Sequence, residues 1–235
     1  MHGAANDHGV WALQSRYFAH HGANVLALDL PGHGRSPGPP IRSIEELAGF
    51  LAAMLAPRGE ARHTLVGHSM GALAALECAA RYPGQVAKVA LLGPAAPMSV
   101  SDELLDAARR NDHLAYELIN GWSFSTTAQL GSNPFPGMSL LGTNLRLMER
   151  SAPGVLANDL EACNAYANGI AAASRVRCPA LAIVGGRDIM APIRNARALI
   201  DALADKEVVT LPDAGHALMA EQPGAVLDAL RAFAP

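Results

Sequence analysis

Three residue types that together can activate a nucleophile occur in this sequence of 235 residues, each in a distinctive setting. Residues 67–71 read Gly-His-Ser-Met-Gly, directly after an apolar run and directly before an alanine-rich one. Asp188 and His216 each follow a later apolar run. A serine hydroxyl is a weak nucleophile by itself; it needs a histidine to take its proton and an acid to orient that histidine. The sequence therefore predicts Ser69 as nucleophile, His216 as general base and Asp188 as orienting acid.

The glycines on either side of Ser69 suit a sharp turn between a strand and a helix. The G-x-S-x-G pattern in such a turn exposes the serine hydroxyl, and glycine at both ends relieves crowding. The first amides of the helix, that of Met70 included, can donate to the negative oxygen that forms when a carbonyl is attacked. An ordinary glycine-rich turn is the alternative, which the strand-turn-helix setting disfavours.

Apolar runs alternate with stretches of helical spacing, which is typical of βαβ units around a parallel sheet. We predict strands at residues 24–29, residues 62–67, Val86–Leu92, Ala180–Gly185 and Lys206–Leu211. We predict helices at Ile44–Leu55, with Ser43 as its cap, and at residues 71–81, 193–203 and 225–232.

The predicted triad residues all follow predicted strands. Because ligands of open parallel sheets bind outside the carboxyl ends of the strands, Ser69, Asp188 and His216 are expected to meet at that edge. Each of the two later residues also has a structural interpretation. Asp188 could cap a helix ahead of Pro192, and His216 could be a histidine of a surface loop. Their common position at strand ends favours the triad.

Residues 98–174 interrupt the alternation, because they contain no clear strand and two proline-glycine turn signals. We predict an inserted helical lid here, with residues 1–97 and 175–235 forming the core. Within the lid, residues 102–110 and 145–150 have amphipathic helical spacing, whereas residues 131–138 are predicted to be a loop.

The composition disfavours several classes of function. Half of the residues are hydrophobic and 17% are charged, and the net charge of −3 comes from scattered groups with no basic run for a nucleic acid. No apolar stretch approaches the ~20 residues of a membrane span, and the start lacks a signal-peptide layout. Cys78, Cys163 and Cys178 form no CxxC pair and are predicted to be buried thiols. We expect a cytoplasmic protein that binds neither nucleic acid nor membrane.

The order Ser, Asp, His and the surrounding motifs resemble the α/β-hydrolase superfamily over nearly the whole chain. Residues 29–36, D-L-P-G-H-G-R-S, look like the D-x-P-G-x-G-x-S loop after the family's fourth strand, and His2-Gly3 looks like the H-G after its third. Trp11 lies where the family often has a tryptophan. The resemblance implies an α/β fold with a doubly wound, mostly parallel sheet, and it implies that the amide of Ala4 is the oxyanion partner of the Met70 amide.

By the same resemblance, the expected reaction is hydrolysis of a carboxylic ester through an acyl-enzyme, with neither a metal nor an organic cofactor. Haloalkane dehalogenases and epoxide hydrolases of the superfamily have an aspartate where this chain has Ser69, which disfavours those reactions. Cleavage of a carbon–carbon bond, or of a lactone, by the same fold is the alternative. A non-catalytic binding protein is a third hypothesis, disfavoured because all three triad residues are present.

The predicted lid suggests a small-molecule substrate with an apolar acyl or alcohol part. Its large apolar residues either face such a substrate or form the lid core: Trp122, Phe124, Phe135, Met138, Leu140, Leu141 and Met148. Arg146 and Arg150 either meet a carboxylate or form a solvated helix face. Asp29 is expected to brace the loop that follows it. The remaining histidines are expected to be solvated or structural, at positions 8, 20, 21, 33, 63, 68 and 113.

The start of the sequence departs from the family. Relatives usually have three strands before the H-G motif, whereas His2 follows Met1 directly. We therefore expect the sheet to lack those N-terminal strands, and the chain to be less stable than one extended upstream. Alternatively, residues 24–29 pair directly with residues 62–67.

Overall fold

The computed structural model of the protein describes residues 1–58, 62–131, 134 and 136–234. Within these residues four strands form one parallel sheet in the order β1-β2-β3-β4. The strands are β1 His63–His68, β2 Val86–Leu92, β3 Ala180–Gly185 and β4 Lys206–Leu211. The predicted bounds of β2, β3 and β4 are confirmed, and β1 begins and ends one residue later than predicted.

The described residues contain twelve α-helices and two short 3-10 helices. Those before β2 are α1 Ala12–His20, α2 Ile44–Leu55 and α3 Met70–Arg81. Those between β2 and β3 are α4 Asp102–Arg109, α5 Leu114–Ser123, α6 Thr126–Gln129, α7 Leu140–Met148, α8 Val155–Ala165 and α9 Gly169–Arg175. Those after β3 are α10 Ile193–Ala202, α11 Leu218–Glu221 and α12 Pro223–Phe233. The 3-10 helices are His8–Trp11 and Ala56–Arg58.

Most helices with a clear apolar period were predictable. The bounds of α2 are confirmed, and the Ser43 hydroxyl accepts a hydrogen bond from the Glu46 amide at 3.2 Å, which caps the helix. The helix predicted over residues 145–150 is instead α7, which begins five residues earlier and ends two residues earlier. No prediction covered α1, because its sequence has no apolar face and only Gln14 is buried within it.

The strand predicted at residues 24–29 is wrong, and so is its direct pairing with residues 62–67. The segment lies outside the sheet, separated from β1 by a groove of about 1020 Å³. Met1 lies along the edge of β1 instead, where its amino group donates to Val66 O at 2.6 Å and its carbonyl accepts from the His68 amide at 3.1 Å. The His2 ring next to it accepts from the Leu30 amide at 3.1 Å, so His2 lies between this segment and β1.

The central strands β2 and β3 pack against helices on both faces, as a doubly wound fold requires, whereas most residues of the edge strand β4 are exposed. Val89 and Leu91 of β2 pack in a cluster with α2, α3, α9 and α10 on one face. Ala90 and Leu92 of the same strand pack with α12 on the other. Alternate residues of β3 divide between the two clusters in the same way. This sandwich holds the carboxyl ends of the strands in fixed positions.

The segment between β2 and β3 packs partly on itself and partly on the core. Helices α4, α5, α7 and α8 contribute to a separate apolar cluster that also contains Ala5. By contrast, Ala172 and Ala173 of α9 belong to the same cluster as α3. The division into a core and a lid over residues 98–174 stays a prediction. Part of the loop predicted at residues 131–138 lies outside the described residues.

The three cysteines are free and buried, as predicted. None of the helices in the described ranges is long and apolar enough to span a bilayer.

Candidate active site

Ser69 occupies a strained turn between β1 and α3. Its φ of 54° and ψ of −118° lie in a backbone region that costs an L-residue conformational energy, and that such a residue keeps only where the surrounding structure imposes it. A Cβ atom at Gly67 would lie 2.1 Å from the carbonyl oxygen of Gly71, and one at Gly71 would lie 2.5 Å from that of His2. Only glycine fits at these two positions: at Gly67 because the turn brings Gly71 close, and at Gly71 because the backbone of Met1 and His2 packs against it.

His216 and Asp188 form a buried hydrogen-bonded pair. Asp188 follows β3, His216 follows β4, and His216 Nδ1 lies 2.7 Å from Asp188 Oδ2. The other carboxylate oxygen accepts from the amides of Met190 and Ala191 at 2.9 and 2.8 Å. Burial raises the pKa of Asp188, but the charge and hydrogen bond of His216 and the Ala191 amide outweigh it, so the pKa lies below its ordinary value. Asp188 is therefore a carboxylate that holds a proton on His216 Nδ1.

The space for this pair is provided by the end of β2. Gly93 has a φ of +56°, and a Cβ atom there would lie 3.1 Å from His216 Cε1 and 3.7 Å from Asp188 Oδ2. A larger residue would press on both members of the pair. Asp188 does not cap α10, which begins after Pro192 without a side-chain cap. The helix-cap alternative for Asp188 is thus not what the structure contains.

Ser69 and His216 line one cavity of about 710 Å³ at the carboxyl edge of the sheet. The Ser69 hydroxyl donates to Met98 Sδ at 4.0 Å across this space. Four of the predicted apolar residues line the cavity, namely Trp122, Met138, Leu140 and Met148. Phe124 and Leu141 pack in a small cluster beside Leu140. Phe135 lies outside the described residues.

Arg146 and Arg150 also line the cavity, with more than half of each side chain exposed. Arg146 pairs with Glu149 at 2.5 Å, and Arg150 lies 3.5 Å from Asp7 Oδ2. Both cations therefore already face carboxylates of this chain.

The loop after His2 brings Ala4 to the same cavity. The Gly3 carbonyl accepts from His2 Nδ1 at 2.8 Å and from the Asn6 amide at 3.3 Å. Asn6 Nδ2 donates to the Ala4 carbonyl at 3.0 Å. These bonds form a tight turn at Ala4, directly beside Ser69, since a Cβ atom at Gly3 would lie 3.2 Å from Ser69 Cβ.

Hydrogen bonds to the backbone of His216 and of the neighbouring Gly215 fix the position of the His216 loop. The ring of His68 donates from Nε2 to the His216 carbonyl at 2.9 Å, and burial lowers the pKa of His68 to about 3, so this ring is neutral. Glu221 accepts from the Gly215 amide at 2.8 Å and from the Ser125 hydroxyl at 2.6 Å. The loop that presents His216 is therefore fixed to β1 on one side and to the helical segment on the other.

A sequence profile described as "Alpha/beta hydrolase family" matches residues 1–229. The chain belongs to the alpha/beta hydrolase family. It is 30% identical to the pimeloyl-(acyl-carrier protein) methyl ester esterase of Chromobacterium violaceum over 92% of this chain and 85% of that protein. It is 31% identical to the dihydrolipoyllysine-residue acetyltransferase component of the acetoin cleaving system of Pseudomonas putida, over 99% of this chain and 62% of that protein.

Among solved structures, the enol-lactonase from Burkholderia xenovorans LB400 superposes with a TM-score of 0.84 at 24% identity, covering 99% of this chain and 88% of that one. This likeness shows the fold. The prediction of an α/β-fold hydrolase is thereby confirmed, both as a family and as a class of enzyme.

Two residues of this alpha/beta hydrolase were missed by sequence reasoning. Asp159 of α8 is buried and accepts from the Ala5 amide at 2.9 Å and from His33 Nε2 at 2.7 Å. Glu221 accepts from both the amide and the hydroxyl of Ser125, at 3.1 and 2.6 Å. Neither has a local signal, because the partners of Asp159 lie 154 and 126 residues away and Ser125 lies 96 residues from Glu221.

The other polar residues near the site have structural roles. Asp29 accepts from the amides of His8 and Arg35 at 2.8 and 2.9 Å, which braces its loop as expected. Asp7, His8 and Asp29 form the one cluster of metal-ligating groups found among the described residues, with ligand atoms within 4.8 Å of one another. Asp29 Oδ1 already bonds His8 Nδ1 at 2.8 Å and Asp7 Oδ1 accepts from the Gly9 amide at 2.7 Å, so we assign no metal there.

Proposed function

We propose that this alpha/beta hydrolase cleaves a carboxylic ester through an acyl-enzyme, with Ser69 as nucleophile, His216 as general base and Asp188 as orienting acid. The observation that carries the proposal is the 2.7 Å bond between His216 Nδ1 and Asp188 Oδ2 beside a cavity that Ser69 also lines. The similarity to a methyl ester esterase supports an ester as substrate.

In the proposed reaction, the proton arrangement on His216 decides its role. The Asp188 carboxylate keeps the proton on Nδ1, so Nε2 has a free lone pair. The Ser69 hydroxyl turns from Met98 towards His216 and gives its proton to Nε2 as its oxygen attacks the ester carbonyl. The imidazolium then protonates the leaving alcohol, and a water activated by the same nitrogen releases the acid.

Two backbone amides stabilise the oxyanion of each tetrahedral intermediate. We assign these donors to Met70, at the first turn of α3, and to Ala4, in the loop beside Ser69. The amide of Met70 has no intrahelical partner because it lies at a helix N-terminus, where the helix dipole also favours negative charge. Donors fixed in place before the reaction stabilise the charge without rearranging.

The cavity suggests the kind of substrate. Its walls carry Trp122, Leu140 and Met148, which favour a small molecule with an apolar acyl or alcohol part. Arg146 and Arg150 pair with Glu149 and Asp7. A free carboxylate elsewhere on the substrate would have to displace Glu149 or Asp7 from these arginines, so an ester without a free carboxylate is favoured.

The nucleophile is tested by Ser69→Ala, measured by turnover of p-nitrophenyl esters and by labelling with a fluorophosphonate probe. We expect turnover to fall by about 10⁴-fold or more and labelling to disappear, since loss of the nucleophile disables the triad as a unit. Ser99→Ala is the matched control, because Ser99 is an exposed serine that lines the same cavity as the half-buried Ser69. Labelling of the Ser69→Ala variant would contradict the assignment.

The bond that is cleaved is tested with the unmodified enzyme on three substrate classes: p-nitrophenyl esters of increasing chain length, lactones, and a vinylogous 1,5-diketone. We expect the esters to have the highest kcat/KM. A preference for lactones would leave the acyl-enzyme mechanism in place and change only the proposed substrate class, because a lactone is an internal ester. A preference for the diketone would replace the proposal by carbon–carbon bond hydrolysis, and binding without turnover of any class would point to a binding protein.

A further inference from the structure

Asp159 joins the helical segment between β2 and β3 to the loop that carries Ala4. Its side chain is buried on α8, and a single oxygen, Oδ2, accepts from the Ala5 amide at 2.9 Å and from His33 Nε2 at 2.7 Å. Leu156 and Leu160 on the same helix pack in one apolar cluster with Ala5. Helix α8 therefore contacts this loop through both a polar and an apolar surface.

The charge on Asp159 is balanced by His33. Both ring nitrogens of His33 face acceptors, since Nδ1 lies 3.0 Å from the Pro31 carbonyl oxygen and Nε2 faces the Asp159 carboxylate. A ring that donates from both nitrogens is an imidazolium. Burial lowers the pKa of His33, but the hydrogen bond and charge of Asp159 outweigh it and leave the pKa raised. The pair is thus a buried ion pair, and of its two members only Asp159 accepts from the Ala5 amide.

The conformation that Asp159 holds is a strained one. Ala5 has a φ of +51°, in the left-handed region that an alanine adopts only when the surroundings impose it. The peptide unit between Ala4 and Ala5 is fixed at both ends: its carbonyl accepts from Asn6 Nδ2, and its amide donates to Asp159. The turn bond from the Asn6 amide to Gly3 O is 3.3 Å long, so it contributes little by itself.

We propose that Asp159 is a positioning residue for the second oxyanion donor. By holding the Ala5 amide it fixes the peptide unit that follows Ala4, and with it the direction in which the Ala4 N–H points into the cavity. This inference rests on the proposed function, because Ala4 needs a fixed direction only if it donates to a developing oxyanion. It also makes the donor depend on how helix α8 sits on the core.

The central test is Asp159→Leu, which keeps the approximate size of the side chain and removes the oxygen that accepts from the Ala5 amide. We expect kcat for a p-nitrophenyl ester to fall by about 10- to 100-fold, less than the 10²–10³-fold typical of losing a donor outright, because Ala4 is misdirected and not removed. KM should change less than about threefold, because the cavity walls are untouched. The rate of fluorophosphonate labelling should fall by the same factor as kcat. Asp106→Leu, at an exposed position of α4, is the control for a lost charge in the helical segment.

Two further variants separate positioning from structural support. His33→Gln breaks the same ion pair but leaves Asp159 Oδ2 free to accept from Ala5, so kcat should stay within about threefold of the unmodified enzyme. Ala5→Gly in the Asp159→Leu background should restore most of kcat, because glycine adopts a φ of +51° without strain. A residue that served only the stability of the core would give equal losses in the two single variants and no rescue by glycine.

The outcomes keep this inference apart from the proposed function. If the unmodified enzyme is labelled and Asp159→Leu is labelled equally fast, the inference is overturned and the proposed function stands. If the unmodified enzyme neither labels nor hydrolyses any ester, the proposed function fails and the inference fails with it. Should Asp159→Leu not fold, Asn6→Ala frees the other end of the same peptide unit. That variant must then show the kcat loss and the rescue by Ala5→Gly, and a normal kcat overturns the inference.

Discussion

Both carboxylate oxygens of Asp188 accept hydrogen bonds. Replacing one oxygen by an amide nitrogen of similar size therefore changes which atoms carry protons more than it changes the shape of the site. Asp188→Asn keeps the geometry, but the new amide can donate to His216 Nδ1 and force the proton onto Nε2. The base would then be blocked, and we expect kcat to fall by about 10⁴-fold, as for the corresponding change in a well-studied triad. Steady-state kinetics on an ester would measure it, with Asp201→Asn on α10 as control. A kcat within tenfold of the unmodified enzyme would remove Asp188 from the mechanism.

The raised pKa of His33 makes the stability of the fold depend on pH. A histidine whose folded pKa lies above its unfolded value of about 6.5 stabilises the folded state fully below that value. Its contribution is lost as pH rises through the folded pKa. We therefore expect the difference in free energy of unfolding between the unmodified enzyme and His33→Gln to shrink as pH increases from 6 to 9. Urea titrations at four pH values would measure this, and a constant difference would contradict it.

At the scale of elements, the turn from β1 into α3 tolerates no extra atom. A Cβ atom at Gly71 would lie 2.5 Å from the carbonyl oxygen of His2 and 2.6 Å from that of Met1, which are backbone atoms that cannot rotate away. We expect Gly71→Ala to destabilise the fold by ~3 kcal/mol, and to lower kcat because both Ser69 and the loop at Ala4 must shift.

The matched control is Gly121→Ala on α5, where nothing lies within 4 Å of the new atom. Alanine there should stabilise the helix by about 0.5–1 kcal/mol, since glycine is a poor helix former. Thermal unfolding of both variants gives the comparison. Equal Tm values would show that the backbone of Met1 and His2 shifts more easily than its contacts with Gly71 indicate.

The elements that were predicted correctly are those that carry their own pattern. Strands β2, β3 and β4 are short runs rich in Val, Ile and Leu, and α2 has both an apolar face and a capping Ser43. Residues 24–29 carry an equally good strand pattern, yet Met1 and His2 lie along β1 and keep them from pairing with it. Strand propensity depends on which partner is available, and that information is not local.

Across the whole molecule, the residues of the candidate site that could be predicted are those that lie in short sequence motifs. Ser69, Asp188 and His216 could be named because each follows a strand, and parallel strands bring their carboxyl ends to one edge. The residues that fix the loops, Asp159 and Glu221, could not be named, because a lone buried acid resembles any exposed one until the fold brings its partner near.

The long-range bonds around the site also determine when, during synthesis, a chain can become an enzyme. Ala5 is held by a residue 154 positions later, and His68 by one 148 positions later. Contacts so distant in sequence form late in folding, because their loops cost the most entropy to close. A nascent chain that has already formed β1 and α3 therefore carries its serine in an unfinished pocket. Under the proposed mechanism, the chain can hydrolyse an ester only after the segment around His216 has left the ribosome, so a partly made chain would be inactive.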